Sequence, residues 1–332
     1  MAKNFTGYRW RTTRSEWRKI SFILLFVLWV ATPWAFADLE ISGFIDVLGQ
    51  GRRGEDTTFG MGAFEIDFAA EFSPSVAFEG AVVVQGDEVG LGQTMVDFWL
   101  LNENKLGLQF GLLDMPFGID YQVFATPDRK LVTLPLVTEL MMDGGWSDIG
   151  VNLHGSLPRL NCNVYVVNGM GEDRGVPVNQ LSDNNNGKTV GGRIGASPVD
   201  NLELGFSYAQ GPYLDGTAEE ALSRTGGDIQ FVYQSLQIKG EYIKGVEEIS
   251  GATDSEHEGW YIQLLGQATE KVYGVTRYGY WKPKGGDKVN RISIGLGYDL
   301  VENISLRSEY QINGETPSID NNLFSLQVVV SF

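Results

Sequence analysis

Carboxylates spaced two residues apart are the first feature of this sequence that could do chemistry. Glu65 and Asp67 lie in a segment where Phe64, Ile66 and Phe68 occupy the intervening positions. Because successive side chains of a β-strand point to opposite faces, this spacing places the acids on one face and the apolar residues on the other. The same alternation assigns further charged residues to polar faces: the acidic Glu79 and Asp97, and the basic Arg193, Lys239, Arg277, Arg291 and Arg307.

Strand-like alternation continues along the chain and predicts an all-β protein of sixteen strands. Short connections, such as residues 74–75 and 302–303, alternate with long ones, such as residues 169–187. This asymmetry and the even strand number are typical of a transmembrane antiparallel β-barrel. The last strand ends the chain at Phe332 and must pair with the first strand to remove both sheet edges.

A soluble β-sandwich would also alternate, with its apolar face in a shared core. Aromatic residues on the predicted apolar faces favour the barrel, because such residues form girdles at the two membrane interfaces. The girdle candidates are Phe72, Tyr208, Tyr233, Tyr242, Trp260, Tyr278, Tyr280, Tyr298, Tyr310 and Phe332.

The stretch from Asp114 to Trp146 interrupts the strand pattern. It contains Pro116, Pro127 and Pro135, and proline lacks the amide hydrogen that a central strand needs. Long loops are uncommon in compact domains and are usually functional, so we predict an inward-folded third loop that constricts the barrel. The charged candidates for this constriction are Asp114, Asp120, Asp128, Arg129, Lys130 and Glu139, while apolar residues from Leu131 to Met142, including Leu140, are expected to be buried.

Charges of opposite sign are segregated along the chain, with acids in the first four strands and arginines in the later ones. We interpret this as an acidic and a basic arc of the wall, which would create a transverse field across a lumen. Pairing or solvation is a sufficient explanation for any single charge, since exposed ion pairs are common and weak. The collective acidic excess predicts a preference for cations.

The first 37 residues have the pattern of a secretory signal. Basic residues from Lys3 to Lys19 precede an uncharged run from Ile20, and Ala35-Phe36-Ala37 matches a cleavage site. A membrane anchor is the alternative, which Pro33 disfavours. Removing six bases and one acid leaves 19 Lys and Arg against 41 Asp and Glu in residues 38–332, a net charge of −22 that disfavours nucleic acid as a partner.

Two histidines are the candidates for acid–base catalysis. His154 is expected to face inward on a strand, but strand geometry does not assemble it with Ser147 and Asp148 into a nucleophilic relay. His257 lies in a polar stretch and is expected to be solvated. Cys162 is the single cysteine and cannot form an internal disulfide. We therefore predict a protein that is not an enzyme, and no spacing of ligands specifies a metal or another cofactor.

Residues 105–210 resemble the family of phosphate-selective porins. The motifs that carry the resemblance are Gly111 with Pro116-Phe117-Gly118, Asp148-Ile149-Gly150-Val151 with Gly155, Asn168-Gly169, Asp183-Asn184 with Lys188, Gly192-Arg193, and Gly205-Phe206-Ser207-Tyr208. The resemblance implies a sixteen-stranded trimer whose third loop folds into each pore. It does not carry phosphate selectivity to this chain, because anion-selective members line the lumen with Lys and Arg, whereas the inward positions here are mostly acidic.

The sequence thus predicts a water-filled porin for ions and small hydrophilic solutes, in contact with lipid and lipopolysaccharide of a Gram-negative outer membrane. It is expected to form a homotrimer and to prefer cations. Two alternatives stay open. One is a structural or adhesive outer-membrane barrel with a plugged lumen, and the other is an outer-membrane hydrolase.

Overall fold

The computed structural model describes residues 39–332 except 53–54, 87, 102–104, 120–124, 174–175, 217–219 and 316–318. Within these residues, sixteen antiparallel strands form a closed barrel in which strands adjacent along the wall are hydrogen-bonded. The predicted fold class and strand number are confirmed. The predicted signal segment, residues 1–37, lies outside the described part of the chain.

The barrel strands follow one another around the wall in chain order. They are β1 (Leu39–Arg52), β2 (Thr58–Ser73), β3 (Val76–Gln85), β4 (Glu88–Leu101), β5 (Leu106–Asp114), β6 (Ser147–Leu157), β7 (Leu160–Val167), β10 (Thr189–Val199), β11 (Leu202–Pro212), β12 (Ala221–Tyr233), β13 (Leu236–Glu247), β14 (Ser255–Gln267), β15 (Val272–Lys282), β16 (Val289–Val301), β17 (Ile304–Gly314) and β18 (Leu323–Ser331).

Four shorter elements lie in the connections. The strands β8 (Gly171–Asp173) and β9 (Val176–Val178) form a separate hairpin, while a 3-10 helix (Thr126–Asp128) and α1 (Leu136–Met141) lie between β5 and β6. In the described part of the chain, no helix is long and apolar enough to cross a membrane.

The outer face of the wall is apolar and the inner face is polar, as the alternation predicts. On β16, Ile292, Ile294 and Leu296 are exposed, whereas Ser293 between them is fully buried. On β18, Leu326 is exposed and Gln327, its chain neighbour, is buried. This is the inverse of a soluble protein and is the pattern of a barrel whose outer face contacts lipid.

Backbone hydrogen bonds between the first and last strands close the barrel. The amide of Gly43 donates to the carbonyl of Phe332 at 3.1 Å, and the amide of Phe332 donates to the carbonyl of Gly43 at 3.0 Å. Further along, Val47 lies opposite Val328 in the same antiparallel ladder. The predicted pairing of the chain's two ends therefore removes both edges.

Two connections differ from the sequence prediction. β3 and β4 are separated only by residues 86–87, although alternation in the sequence can be recognised only from residue 93. Gly90 and Gly92 interrupt the alternation there, because glycine has no side chain whose polarity would indicate the face of the strand. The hairpin β8–β9 was not predicted, since strands of three residues are too short to show alternation.

A charge on the outer face is expected to destabilise the barrel. Ile294 is 53% exposed near the middle of β16. We expect Ile294→Arg to reduce the free energy of unfolding from lipid vesicles by about 2–4 kcal/mol, the cost of an arginine near the bilayer midplane. Urea titrations followed by tryptophan fluorescence measure this quantity.

The matched control is Ile319→Arg, because Ile319 is equally exposed but lies in the connection before β18. It should change the free energy of unfolding by less than about 1 kcal/mol. Equal effects of the two substitutions would contradict the assignment of the lipid face.

Candidate functional site

The β5–β6 connection (residues 115–146) leaves the wall and returns to it at one point. The amide of Met115 donates to the carbonyl of Trp146 at 2.8 Å, and the hydroxyl of Ser147 donates to Asp114 Oδ1 at 2.7 Å. At Gly118 the backbone φ is +69°, and an added Cβ would lie 1.4 Å from Glu241 Oε1. The chain can therefore turn towards the wall here only with glycine.

Apolar side chains of the connection pack against buried side chains of the wall. Phe117, Leu136 and Val137 belong to one buried cluster with Ile243 of β13 and Tyr261 of β14. Other members from the connection are Met115, Met141, Met142 and Trp146. Most of the apolar residues of the connection that were expected to be buried are therefore buried.

Two of the apolar residues from Leu131 to Met142 are not buried: Leu134 is half-buried and Leu140 is exposed. Leu140 is 39% exposed, whereas Met141 beside it is buried. The prediction that Leu140 is buried was wrong, because the short helix α1 directs only one side of its surface towards the wall.

The main polar anchor of the connection is Thr133. Its amide and its hydroxyl donate to the two carboxylate oxygens of Glu309, each at 2.8 Å. Arg277 Nη2 donates to the carbonyls of Thr133 and Leu134, each at 2.9 Å. Gln311 Nε2 donates to the Thr133 hydroxyl at 2.7 Å. Side chains of two wall strands, β15 and β17, thus hold the backbone at this position.

Other arginines of the wall also contact the connection. Arg307 donates to the carbonyls of Thr126 and Pro127, the latter at 2.7 Å. Arg291 Nη1 lies 2.7 Å from Glu139 Oε2. Of the five residues predicted to form a basic wall, Arg277, Arg291 and Arg307 therefore have their guanidinium groups against the connection.

The two remaining basic residues lie elsewhere. Arg193 is buried and its Nη2 lies 2.7 Å from Asp228 Oδ1 and 3.0 Å from Glu203 Oε1. Lys239 Nζ lies 5.7 Å from the ring centroid of Tyr261 and lines a cavity of about 160 Å³, which it shares with Arg129, Lys130 and Arg277.

A larger space of about 950 Å³ lies between the connection and the inner face of β1–β4. Carboxyl groups dominate its charged lining. Those described are Asp46, Glu65, Asp67, Glu79, Asp114, Asp128 and Asp143, and the one basic residue described among them is Arg129. We call this space the acidic passage. It brings together Glu65, Asp67 and Glu79 of the predicted acidic wall with Asp114, Asp128 and Arg129 of the predicted constriction.

The remaining predicted site residues are not in this lining. Asp97 accepts a hydrogen bond from Gln109 Nε2 at 3.3 Å, and its other oxygen lies 3.0 Å from His154 Nε2. Lys130 Nζ lies 5.2 Å from the ring centroid of Tyr273. Glu139 pairs with Arg291, as described above, and Asp120 lies outside the described residues.

Sequence reasoning did not identify Arg224, Thr133 or Gln311 as parts of this site. Arg224 is buried, lies 5.6 Å from the ring centroid of Trp146 and donates to the carbonyl of Met141 at 3.3 Å. It precedes residue 226, where the alternation placed the start of its strand. A longer predicted β12 would have assigned Arg224 to the inner face, together with Asp228.

The segment before β10 (residues 179–188) contacts the end of the β5–β6 connection. Asn179 donates from its amide to Asp143 Oδ2 at 3.0 Å and from its side chain to the carbonyl of Gly145 at 2.5 Å. Further along, slight burial opposes ionisation of Asp183, but hydrogen bonds from Lys188 and Asn185 hold the pKa of that carboxyl below its usual range.

The two histidines have different surroundings. His154 contacts Asp97, and the ring of Trp99 lies 4.7 Å from its own ring, centroid to centroid. His257 was expected to be solvated, but this was wrong: it is 5% exposed and lies on β14, where its Nδ1 is 3.6 Å from Glu247 Oε1. The strand begins at residue 255, earlier than the polar sequence suggested.

Ser147 and Asp148, which were not expected to form a relay with His154, have other hydrogen-bond partners. Ser147 donates to Asp114, and Asp148 accepts hydrogen bonds from Trp146 Nε1 at 3.1 Å and from the amide of Gly169 at 2.8 Å. Among the described residues, no group of three or more His, Cys, Asp or Glu side chains is arranged to hold a metal ion.

Comparison with known proteins places the chain by its fold. No protein-family model matches it. An uncharacterized protein of Aquifex aeolicus (strain VF5) is 24% identical over 316 residues, which cover 79% of this chain and 71% of that protein.

Solved structures of outer-membrane proteins share the architecture. OmpF of Salmonella typhi, in complex with daunomycin, superposes with a TM-score of 0.66 at 12% identity and covers 89% of this chain and 98% of its own. The outer membrane channel DcaP of Acinetobacter baumannii gives 0.64 at 12% identity, with 90% and 99% covered. The trimer form of OmpT from Vibrio cholerae gives 0.64 at 11% identity, with 90% and 100% covered. The chain therefore has the fold of outer-membrane porins, while the narrower resemblance to phosphate-selective porins stays a prediction.

Loss of the carboxylate at position 309 is expected to release the β5–β6 connection. Glu309→Ala leaves Arg277 buried beside an amide and hydroxyl that have lost their acceptor, a change that typically costs about 3–5 kcal/mol. Trypsin should then cleave after Arg129 or Lys130 at least ten times faster than in the wild type. Mass spectrometry of the fragments measures the rate.

Glu302→Ala is the control, because Glu302 is exposed in the turn between β16 and β17. It should leave the cleavage rate unchanged. Full resistance of the Glu309→Ala protein would show that the hydrogen bonds at Thr133 do not hold the connection.

Proposed function

We propose that this protein is an outer-membrane porin, a water-filled channel through which ions and small hydrophilic solutes diffuse passively, with a preference for cations. The observation that carries the proposal is the acidic passage of about 950 Å³ beside the β5–β6 connection. A lumen-sized space lined by carboxyl groups suits the conduction of hydrated cations. The chemistry of diffusion needs no cofactor and no catalytic group.

The β5–β6 connection acts as the constriction in this proposal. Its partners Arg307 and Glu309 are buried residues of β17, on which Tyr310 and Ile312 are exposed and apolar. Contacts with that polar face support a connection that folds into the lumen and narrows it. The acidic passage is then the part of the lumen that the connection leaves open.

Electrostatics favours cations in the acidic passage. At 4 Å, two unit charges interact with about 1 kcal/mol in water and about 4 kcal/mol near a protein surface. Since about 1.4 kcal/mol corresponds to a tenfold change, even a few unpaired carboxylates favour cations over anions by about tenfold. Arg129 offsets one of the described acids, so the excess stays negative.

The basic side of the wall contributes little to the open passage. Arg277 and Arg307 donate to backbone carbonyls of the connection, and Arg193 pairs with Asp228 and Glu203. These guanidinium groups are buried and turned to protein partners, which weakens their attraction for permeating anions. The proposal therefore places the selectivity in the acidic wall rather than in a balanced field between two arcs.

Assembly and location follow from the same proposal. A homotrimer in the outer membrane of a Gram-negative bacterium, surrounded by lipid and lipopolysaccharide, is supported by the apolar outer face and by the trimer form of the similar OmpT. Export would use residues 1–37 as a cleaved signal. Membership of the phosphate-selective porin family is supported by the motifs between residues 105 and 210, without a preference for phosphate.

Removing charge from the passage is expected to reduce the cation preference. In planar bilayers with a KCl gradient, we expect a potassium-to-chloride permeability ratio of at least about 5 for the wild type. The triple variant Glu65→Gln, Asp67→Asn, Asp114→Asn should bring this ratio towards 1. Reversal potentials measure both values.

The control replaces three exposed acids outside the passage: Glu302→Gln, Asp200→Asn and Asp254→Asn. It removes the same formal charge and should leave the ratio within about twofold of the wild type. An anion preference of the wild-type channel would contradict the proposal. Insertion without any conductance would instead support the plugged barrel.

A further inference from the structure

The acidic passage has apolar side chains directly beside its carboxyl groups. In the register of the wall, Glu65 on β2 lies opposite Phe44 of β1 on one side and Val83 of β3 on the other. Asp67 lies opposite Ala81. Cross-strand neighbours of this kind have Cβ atoms about 5 Å apart. One molecule can therefore touch a carboxylate and an apolar side chain at the same time.

Aliphatic groups also reach the surface of the passage from other elements. Leu48 of β1, Val83 of β3 and Leu134 of the β5–β6 connection all line the space and are only half-buried. A channel for inorganic ions gains nothing from such groups, since a hydrated ion is attracted to polar atoms. Exposed aliphatic surface next to carboxylates instead favours molecules that carry an apolar group.

A buried amide adds an independent indication of the ligand. Gln327 of β18 lines the passage and lies opposite Leu48. Its side-chain nitrogen donates to Asp46 Oδ2 at 2.7 Å, but its buried Oε1 has no hydrogen-bond partner in the protein. A buried acceptor without a partner is costly, so this oxygen favours a ligand that brings an N–H donor.

We propose that the acidic passage selects organic ammonium cations, molecules that join an N–H ammonium head to an apolar group. The head would interact with Glu65 and Asp67, and the apolar group would contact Val83 on the neighbouring strand. Asp46, the amide oxygen of Gln327 and Leu48 offer the same combination of groups further along β1 and β18. The volume of about 950 Å³ lies in the range of protein sites that accommodate small organic molecules. This inference rests on the proposed function as a cation-preferring channel and names its substrate class.

The test compares two primary ammonium ions at pH 6, where both are protonated: one carries an apolar body and the other a polyhydroxylated body. Bi-ionic reversal potentials would be recorded in planar bilayers with phenethylammonium chloride on one side and glucosammonium chloride on the other. Wild-type channels should prefer phenethylammonium by about five- to tenfold, the effect expected when a few CH₂-sized groups are partly removed from water. A ratio near 1 would overturn the proposal.

Two substitutions of Val83 separate the apolar contact from the charge. Val83→Thr keeps the size and the branched shape but adds a hydroxyl, and it should reduce the preference to less than about twofold. Val83→Ile keeps the apolar surface and should retain the preference. The ratio of potassium to chloride permeability, recorded for each variant, shows whether the substitution also changes the charge selectivity. An undiminished preference in Val83→Thr would contradict the proposal.

The same recordings distinguish failure of this inference from failure of the proposed function. If the wild type prefers potassium over chloride but does not discriminate between the two organic cations, the channel is cation-preferring and the substrate class is wrong. If the wild type shows no cation preference, the proposed function itself fails. Glu65→Gln should lower the potassium-to-chloride ratio while the two ammonium ions remain distinguished through Val83.

Discussion

The hydrogen bonds between the wall and the backbone of the β5–β6 connection are the constraint on which the rest of the structure depends. A non-repetitive segment packed against a wall must satisfy its amides and carbonyls without a strand partner. Glu309 accepts from Thr133, and Arg277 and Arg307 donate to carbonyls of the connection. Charged groups suit this task because their hydrogen bonds are stronger than neutral ones.

The same bonds determine which part of the wall stays open. In the proposed channel, the arginines of β15 and β17 that hold the connection are not available to a permeating anion. Glu65 of β2 and Glu79 of β3 instead line the acidic passage. One set of contacts thus accounts for both the position of the connection and the sign of the charge in the remaining space.

Much of the fold could be predicted from the sequence because each strand of such a barrel must place apolar side chains on one face and polar side chains on the other. Alternation around Glu65 and Asp67 was sufficient to assign their face, and the terminal Phe332 pointed to closure with the first strand. The strand bounds could not be predicted where the alternation is interrupted or the strand is short. Gly90 and Gly92 interrupt the alternation at the start of β4, and the hairpin β8–β9 has only three residues in each strand.

The sequence predicted which charged residues lie on the polar face of the wall, but it did not predict which groups those residues contact. Alternation placed Arg277 and Arg307 on the polar face, yet it contains no information about what lies opposite that face. Whether an arginine meets water or a backbone carbonyl depends on the path of residues 115–146, which is set by long-range packing. His257 illustrates the same limit, because its polar neighbours in sequence say nothing about the Trp281 ring that lies 5.8 Å from it in the structure.

Thiol accessibility tests the central claim, which is that the connection covers one side of the lumen and leaves the acidic side open. Cys162 would first be replaced by serine, and single cysteines would then be placed at Ala69, which lines the passage, and at Ser293, which is fully buried. A cationic methanethiosulfonate should modify Ala69→Cys rapidly, lower the conductance and react at least ten times faster than an anionic one, while Ser293→Cys stays unmodified. Equal modification at the two positions, or faster reaction of the anionic reagent at Ala69→Cys, would contradict the account.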